Sequence, residues 1–140
     1  MVCKFEYTKF ATVDSARPWI ARSMVPIRLF AKSRFAQVLA LVDSGADYSL
    51  FHTDYAEALV LTTDIGDHAK IRGIAGKDII AQFHTVELQV IGFPERIKTR
   101  VGFTESPGVD AILGQTDFFM RYNIKFERSK GQFEIRTAKI

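Results

Sequence analysis

The sequence predicts an all-β or nearly all-β domain, a barrel or sandwich with one or two short helices. Three observations carry that prediction. Runs of β-branched and aromatic residues recur along the whole chain, turn-forming residues separate them at short intervals, and no linker, repeat or low-complexity tract interrupts the series. With 140 residues, 47% hydrophobic and 25% charged, the chain fits one compact domain. Its 12 Phe supply much of the apolar volume for a core.

The first 24 residues place Phe5, Tyr7, Phe10 and Trp19 among charges, and the pattern assigns them no element; a strand, a dimer arm and a removable leader are the open readings, with structural packing the default. They are read as an N-terminal extension to a domain spanning 25–140. Val25 to Phe30 and Phe35 to Val42 form two apolar runs around Lys32-Ser33-Arg34, which reads as a hairpin. Val42 leads straight into Asp43-Ser44-Gly45. Residues 53–59 begin with a capping Thr and carry early acids and alanines, which suits a helix of about two turns. Residues 69–75 and 78–91 read as strands around Gly73-Ile74-Ala75-Gly76, with alternation clearest from Phe83 to Ile91. Further strands are expected at 97–103, 109–113, 122–127 and 132–137. Gln115 to Arg121 reads as a second short helix.

Composition excludes several classes. The single cysteine, Cys3, can form neither an internal disulfide nor a Cys-rich zinc site, and it favours a reducing compartment. No apolar run reaches the length of a membrane helix, and Lys4, Glu6 and Lys9 stand where a signal peptide needs an apolar stretch. A cytoplasmic location is the resulting expectation. The net charge of +3 falls short of a nucleic-acid signature. The C-terminal cluster of Arg121, Lys125, Arg128, Lys130, Arg136 and Lys139 is expected to be the solvated face of paired strands.

The motifs of serine-hydrolase elbows, P-loops, dinucleotide folds and zincins are absent, and His52, His68 and His84 do not cluster as metal ligands. Attention falls on Ala40-Leu41-Val42-Asp43-Ser44-Gly45-Ala46-Asp47, where an apolar strand delivers a carboxylate into a small-residue turn. A carboxylate there must be hydrogen-bonded, paired or partly protonated, and the Ser44 hydroxyl and the amides of Gly45 and Ala46 are the nearest donors. Asp-Ser-Gly by itself is also ordinary turn chemistry.

About seventy residues downstream, Val109 to Gly114 form a second apolar strand ending in glycine, and the Gly73–Gly76 turn lies between the two. Taken together and in this order, these features resemble the retropepsin-like aspartic proteases, which carry Asp-[Ser/Thr]-Gly-Ala, a glycine-containing flap and a hydrophobic-hydrophobic-Gly triplet. The resemblance spans about residues 25 to 137 and implies a retropepsin-like closed β-barrel or sandwich with a flap hairpin. In it Asp43 corresponds to the catalytic aspartate, and Ser44 to the residue whose hydroxyl bonds across to the partner loop. Gly45, Ala46 and Asp47 correspond to the loop that meets the substrate main chain. Gly73, Ile74, Ala75 and Gly76 correspond to the flap tip, and Ile112, Leu113 and Gly114 to the strand supporting the active-site loop. Gln115 stands where retroviral members usually have an arginine that pairs near the position of Asp47.

The chemistry of the family needs two carboxylates sharing one proton. No other aspartate in this chain is followed by [Ser/Thr]-Gly. The resemblance therefore implies a two-fold homodimer in which Asp43 of each subunit meets the other, acting on an extended peptide without metal or cofactor. The competing reading is a non-catalytic dimeric peptide-binding module of the same fold. A basic barrel that binds nucleic acid is the weaker third.

Overall fold

The computed structural model describes residues 1–62, 67–72 and 77–139. Its centre is the hairpin of β4 (Met24–Ala31) and β5 (Arg34–Val42), in register from Met24 opposite Leu41 to Ala31 opposite Arg34. The turn closes with Lys32 at φ 54°. Alternation decides which side is buried: Val25, Ile27, Leu29, Val38, Ala40 and Val42 face the core, and the residues between them face out.

The other strands join this hairpin in one seven-stranded sheet. They are β6 (Leu50–His52), β7 (Asp67–Arg72), β8 (Asp78–Val90), β9 (Ile97–Thr104) and β10 (Ala111–Leu113), in the order β4-β5-β10-β6-β9-β8-β7. β4 also pairs with β8, Ile27 opposite Val90 through Phe30 opposite Glu87. β10 sits between β5, to which it is parallel with Leu113 beside Val42, and β6, to which it is antiparallel. This insertion brings the segments ending at Asp43 and Gly114 side by side, although they lie far apart in sequence.

The N-terminal residues do become structure. β1 (Val2–Glu6) pairs with β12 (Gln132–Thr137), which pairs in turn with β11 (Tyr122–Glu127), giving a three-stranded sheet. Cys3, Phe5 and Tyr7 pack against the core from it. β2 (Thr8–Ala11) and β3 (Trp19–Arg22) form a separate two-stranded arm. Of the basic C-terminal residues, Lys130 lies 3.0 Å and Lys125 3.9 Å from the Glu127 carboxylate, and Lys4 of β1 lies 3.7 Å from Glu134.

The core fills with aromatics. Phe51, Phe93, Phe103, Phe118, Phe133 and Tyr122 are fully buried, and Tyr122 meets the rings of Phe118 and Phe93 at 5.0 and 5.4 Å. Each such side chain contributes about 1.5–3 kcal/mol through burial. The Tyr122 phenol is pushed up to about 12, chiefly by burial.

Two helices differ in detail from the sequence reading. α1 (Thr53–Ala58) is capped by His52, whose Nδ1 accepts the Asp54 N–H at 3.2 Å, so the cap falls one residue before Thr53. The helix expected at 115–121 is reduced to the single turn of α2 (Phe118–Arg121). The reason is that the backbone amides of Gln115 and Thr116 donate to the loop after β5, and the Asp117 carboxylate accepts from Ser49. Among the described residues, no helix is long and apolar enough to cross a membrane, and no three metal-ligating side chains gather. His68 instead contacts the Gln82 amide, and burial lowers the His84 pKa beside Phe103.

Candidate active site

The end of β5 is fixed before its carboxylate appears. Val42 N–H donates to Ser23 O at 2.9 Å, and the Ser23 hydroxyl donates to Val42 O at 3.0 Å. One residue on, Asp43 N–H donates to Leu113 O at 3.0 Å, extending the parallel ladder to β10. The half-buried Asp43 carboxylate then turns back on its own loop: Oδ1 accepts the Gly45 N–H at 2.9 Å, and Asp43 O accepts the Ala46 N–H at 3.2 Å.

The segment after β10 clamps this loop. Gln115 N–H donates to Ala46 O and Thr116 N–H to Asp47 O, each at 2.8 Å, while Gln115 Nε2 donates to Ser44 O at 2.9 Å. The buried Ser49 hydroxyl accepts the Gly114 N–H at 3.0 Å, and Ser49 N–H donates to Asp117 Oδ2 at 3.2 Å. Burial raises the Asp117 pKa, while its bonds to Ser49 and the charge of Arg100 partly offset that rise. Gly114 is required by close approach. A Cβ at that position would stand 2.5 Å from the Tyr48 carbonyl carbon and oxygen and 2.9 Å from Ala46 O.

Above the loop lies a cleft of about 320 Å³. Asp43, Gly45, Ala46 and Asp47 form one side, and Leu50, Val109 and Ile112 make an apolar wall. Ile71 and Ile79, paired across the β7–β8 hairpin, with Arg72, enter from the other direction. Two larger hollows, of about 530 and 470 Å³, do not touch Asp43. The smaller cleft sets a strand-end carboxylate beside apolar surface.

The structure thus brings Asp43 to Asp47 into one loop beside Ile112, Leu113 and Gly114. Leu113 is fully buried beneath it, whereas the Ile112 side chain lines the cleft itself. Gly73, Ile74, Ala75 and Gly76 lie outside the described residues. Sequence reasoning missed Ser49 and Asp117, although a serine heading the apolar run Ser49-Leu50-Phe51 was a usable signal of a buried polar contact. It also missed Ile71 and Ile79, whose alternation marked a buried face without saying what that face would line.

The sequence matches no protein-family model and no curated protein. Solved structures resemble it clearly. A retropepsin-like aspartic protease from Rickettsia conorii aligns at TM-score 0.57 with 14% identity over 79% of this chain and 88% of its own. The retroviral protease-like domain of Ddi1 from Leishmania major aligns at TM-score 0.53 with 18% identity, over 84% of this chain and 95% of its own. EIAV protease, in complex with the inhibitor HBY-793, aligns at TM-score 0.51 with 24% identity over 66% of this chain and 81% of its own. At these identities the likeness is one of fold, and the chain accordingly has the fold of the retropepsin-like aspartic proteases.

Proposed function

We propose that the protein is an aspartic endopeptidase whose active site forms when two copies meet about a two-fold axis, each giving one Asp43 and the strands of one closed barrel. The observation that carries this reading is the Asp43 carboxylate itself, delivered by a buried strand to the edge of an apolar cleft and bonded to the Gly45 amide. One such carboxylate per chain requires a second copy, because the chemistry needs an acid and a base of the same kind in contact.

In the dimer the dyad holds one proton and titrates as a pair. The ionised Asp43 takes a proton from a water lying between the two carboxylates, and that water attacks the substrate carbonyl carbon. The protonated Asp43 of the other subunit donates to the carbonyl oxygen, giving a neutral tetrahedral diol. As the diol collapses and the C–N bond breaks, one of its hydroxyl protons passes to the now ionised Asp43. The Asp43 that took the proton from water gives it to the leaving amine nitrogen, so the dyad again holds one proton and no covalent enzyme intermediate forms. The substrate lies extended, its main chain bonded along the Gly45–Asp47 segment, with side chains in the apolar pocket of Leu50, Ile71, Ile79 and Ile112. No metal or cofactor enters these steps. The lone, half-buried Cys3 suits a reducing, cytoplasmic setting.

The test is a mass-spectrometric screen of a diverse peptide pool between about pH 4 and 7, with wild type and Asp43→Asn side by side. Cleavage by wild type that disappears in the variant is expected. Cleavage persisting in Asp43→Asn removes Asp43 from the chemistry. Silence from both, with a dimer confirmed by sedimentation, favours the peptide-binding module.

A further inference from the structure

The outward face of β4, β5 and β8 does not resemble an ordinary solvated sheet. The registers align Phe35, Phe30, Glu87 and Lys98 in one row across four strands, with Gln37, Arg28 and Gln89 in the next. Phe35 is 59% exposed and Leu39 42%, so apolar side chains stand open to solvent among cations. The rings of Phe30 and Phe35 lie 6.1 Å apart. Arg96 stacks over Phe30 at 3.6 Å, and Arg28 lies over Phe35 at 5.6 Å, so the four side chains run on as Arg28, Phe35, Phe30 and Arg96.

The charge on this face is uncompensated. Arg28, Arg96 and Lys98 stand there with the single carboxylate of Glu87, and among the described residues none of the three cations is in an ion pair. The β1-β12-β11 sheet differs, since Lys4, Lys125 and Lys130 each have a carboxylate within 4.0 Å there. The two arginines are also held in place. Arg28 Nε donates to Gln37 Oε1 at 3.1 Å, and the Arg96 plane rests on a ring. A guanidinium fixed this way loses less freedom when its remaining N–H groups bind a carboxylate.

We propose that this face is a docking surface for an acidic, leucine-bearing segment of a partner protein, separate from the Asp43 cleft, with which it shares no lining residue. Charge complementarity selects an anion, and stacking selects its kind. The cations already cover ring faces that a nucleobase would need, leaving guanidinium edges for carboxylates and the Phe35–Leu39 surface for aliphatic side chains.

Fluorescence anisotropy tests this with the full chain and a short labelled peptide of Glu-Glu-Leu repeats, beside its Gln-Gln-Leu analogue and an oligothymidylate. Saturable binding of the Glu peptide alone is expected, weakened by salt. It falls at least about tenfold in Arg28→Glu/Arg96→Glu and less than about threefold in Lys125→Glu/Arg136→Glu, which removes equal charge elsewhere. Equal losses in the two double variants overturn the proposal, as do tighter binding of the oligothymidylate, equal binding of the Gln analogue, or no saturable binding. Circular dichroism confirms that the variants fold, and Asp43→Asn is expected to bind like wild type, so the result stands apart from any cleavage.

Discussion

Replacing Gly114 with alanine tests whether the glycine of the triplet is there for space. The added Cβ would lie 2.5 Å from the Tyr48 carbonyl carbon and oxygen, where ordinary contact begins at 3.4 Å, and 2.9 Å from Ala46 O. These neighbours are backbone and cannot swing away as a side-chain tip would. The loop and the strand must therefore part by about 0.9 Å, the difference between those two distances. The same opening pulls on the Gln115–Ala46, Thr116–Asp47 and Gly114–Ser49 hydrogen bonds, all between 2.8 and 3.0 Å. Overpacking costs about 1–3 kcal/mol, and contact with rigid backbone puts Gly114→Ala at the upper end. Displacing a reacting group by about 1 Å costs about 100-fold in rate. Urea unfolding read by tryptophan fluorescence and cleavage of a peptide from the screen together measure both effects. A variant within about 0.5 kcal/mol of wild type that keeps its activity would refute the reasoning, since that is the range of an inconsequential surface change.

Three further outcomes follow from the same site. Asp43→Asn should abolish cleavage while leaving the unfolding midpoint close to wild type, because Asn Oδ1 can still accept the Gly45 N–H; a collapsed midpoint would show that the carboxylate is needed for folding. Gln115→Ala loses only an exposed bond to Ser44 O, so stability should fall by about 0.5–1.5 kcal/mol with a smaller loss of rate than in Gly114→Ala. If Gln115→Ala proves the more damaging to rate, the clamp works through that side chain and not through the close backbone approach. Asp117 has its folded pKa raised above the ordinary 3.8, chiefly by burial, so the folded state holds a proton that the unfolded chain has released. Its contribution to stability is full below 3.8 and is lost as pH rises through the folded value. Asp117→Asn keeps an acceptor for Ser49 and removes the titration, so its urea midpoint should gain on wild type as pH climbs; parallel curves would contradict this.

The elements most legible in the sequence are those whose pattern is local. β4, β5 and β8 alternate cleanly because one face of each is buried, and their bounds fall within a few residues of the expectation. The Asp43–Asp47 block was legible because an apolar strand ending in an acid and small residues is uncommon. α2 was legible only in its second half, since Gln115 to Arg121 has a helical composition whose first amides are taken by a loop distant in sequence. β1 was not either: Val2 to Glu6 alternates, but its partner lies at the other end of the chain, and nothing local names it. The Arg28–Phe35–Phe30–Arg96 cluster is the extreme case, because only cross-strand register and the packing of Arg96 make neighbours of its members.

What was illegible at the site is the polar support beneath the carboxylate. Ser49 and Asp117 are unremarkable residues in sequence, yet Ser49 binds the Gly114 amide with its hydroxyl and the Asp117 carboxylate with its own amide. Each bond satisfies a group that folding takes out of water, and an unmade one costs about 1–3 kcal/mol. The segment after Leu113 is thereby tied to the start of β6, and from that anchor the Gln115 and Thr116 amides hold the loop after Val42. This ties the precision of the Asp43 position to the folding of the chain itself. A loop that depended on solvent-exposed contacts such as Gln115–Ser44 alone would open at little cost. One held through buried donors moves only when β6 and β10 move with it, and in a dimer that rigidity would let two Asp43 carboxylates be brought together without first ordering either loop.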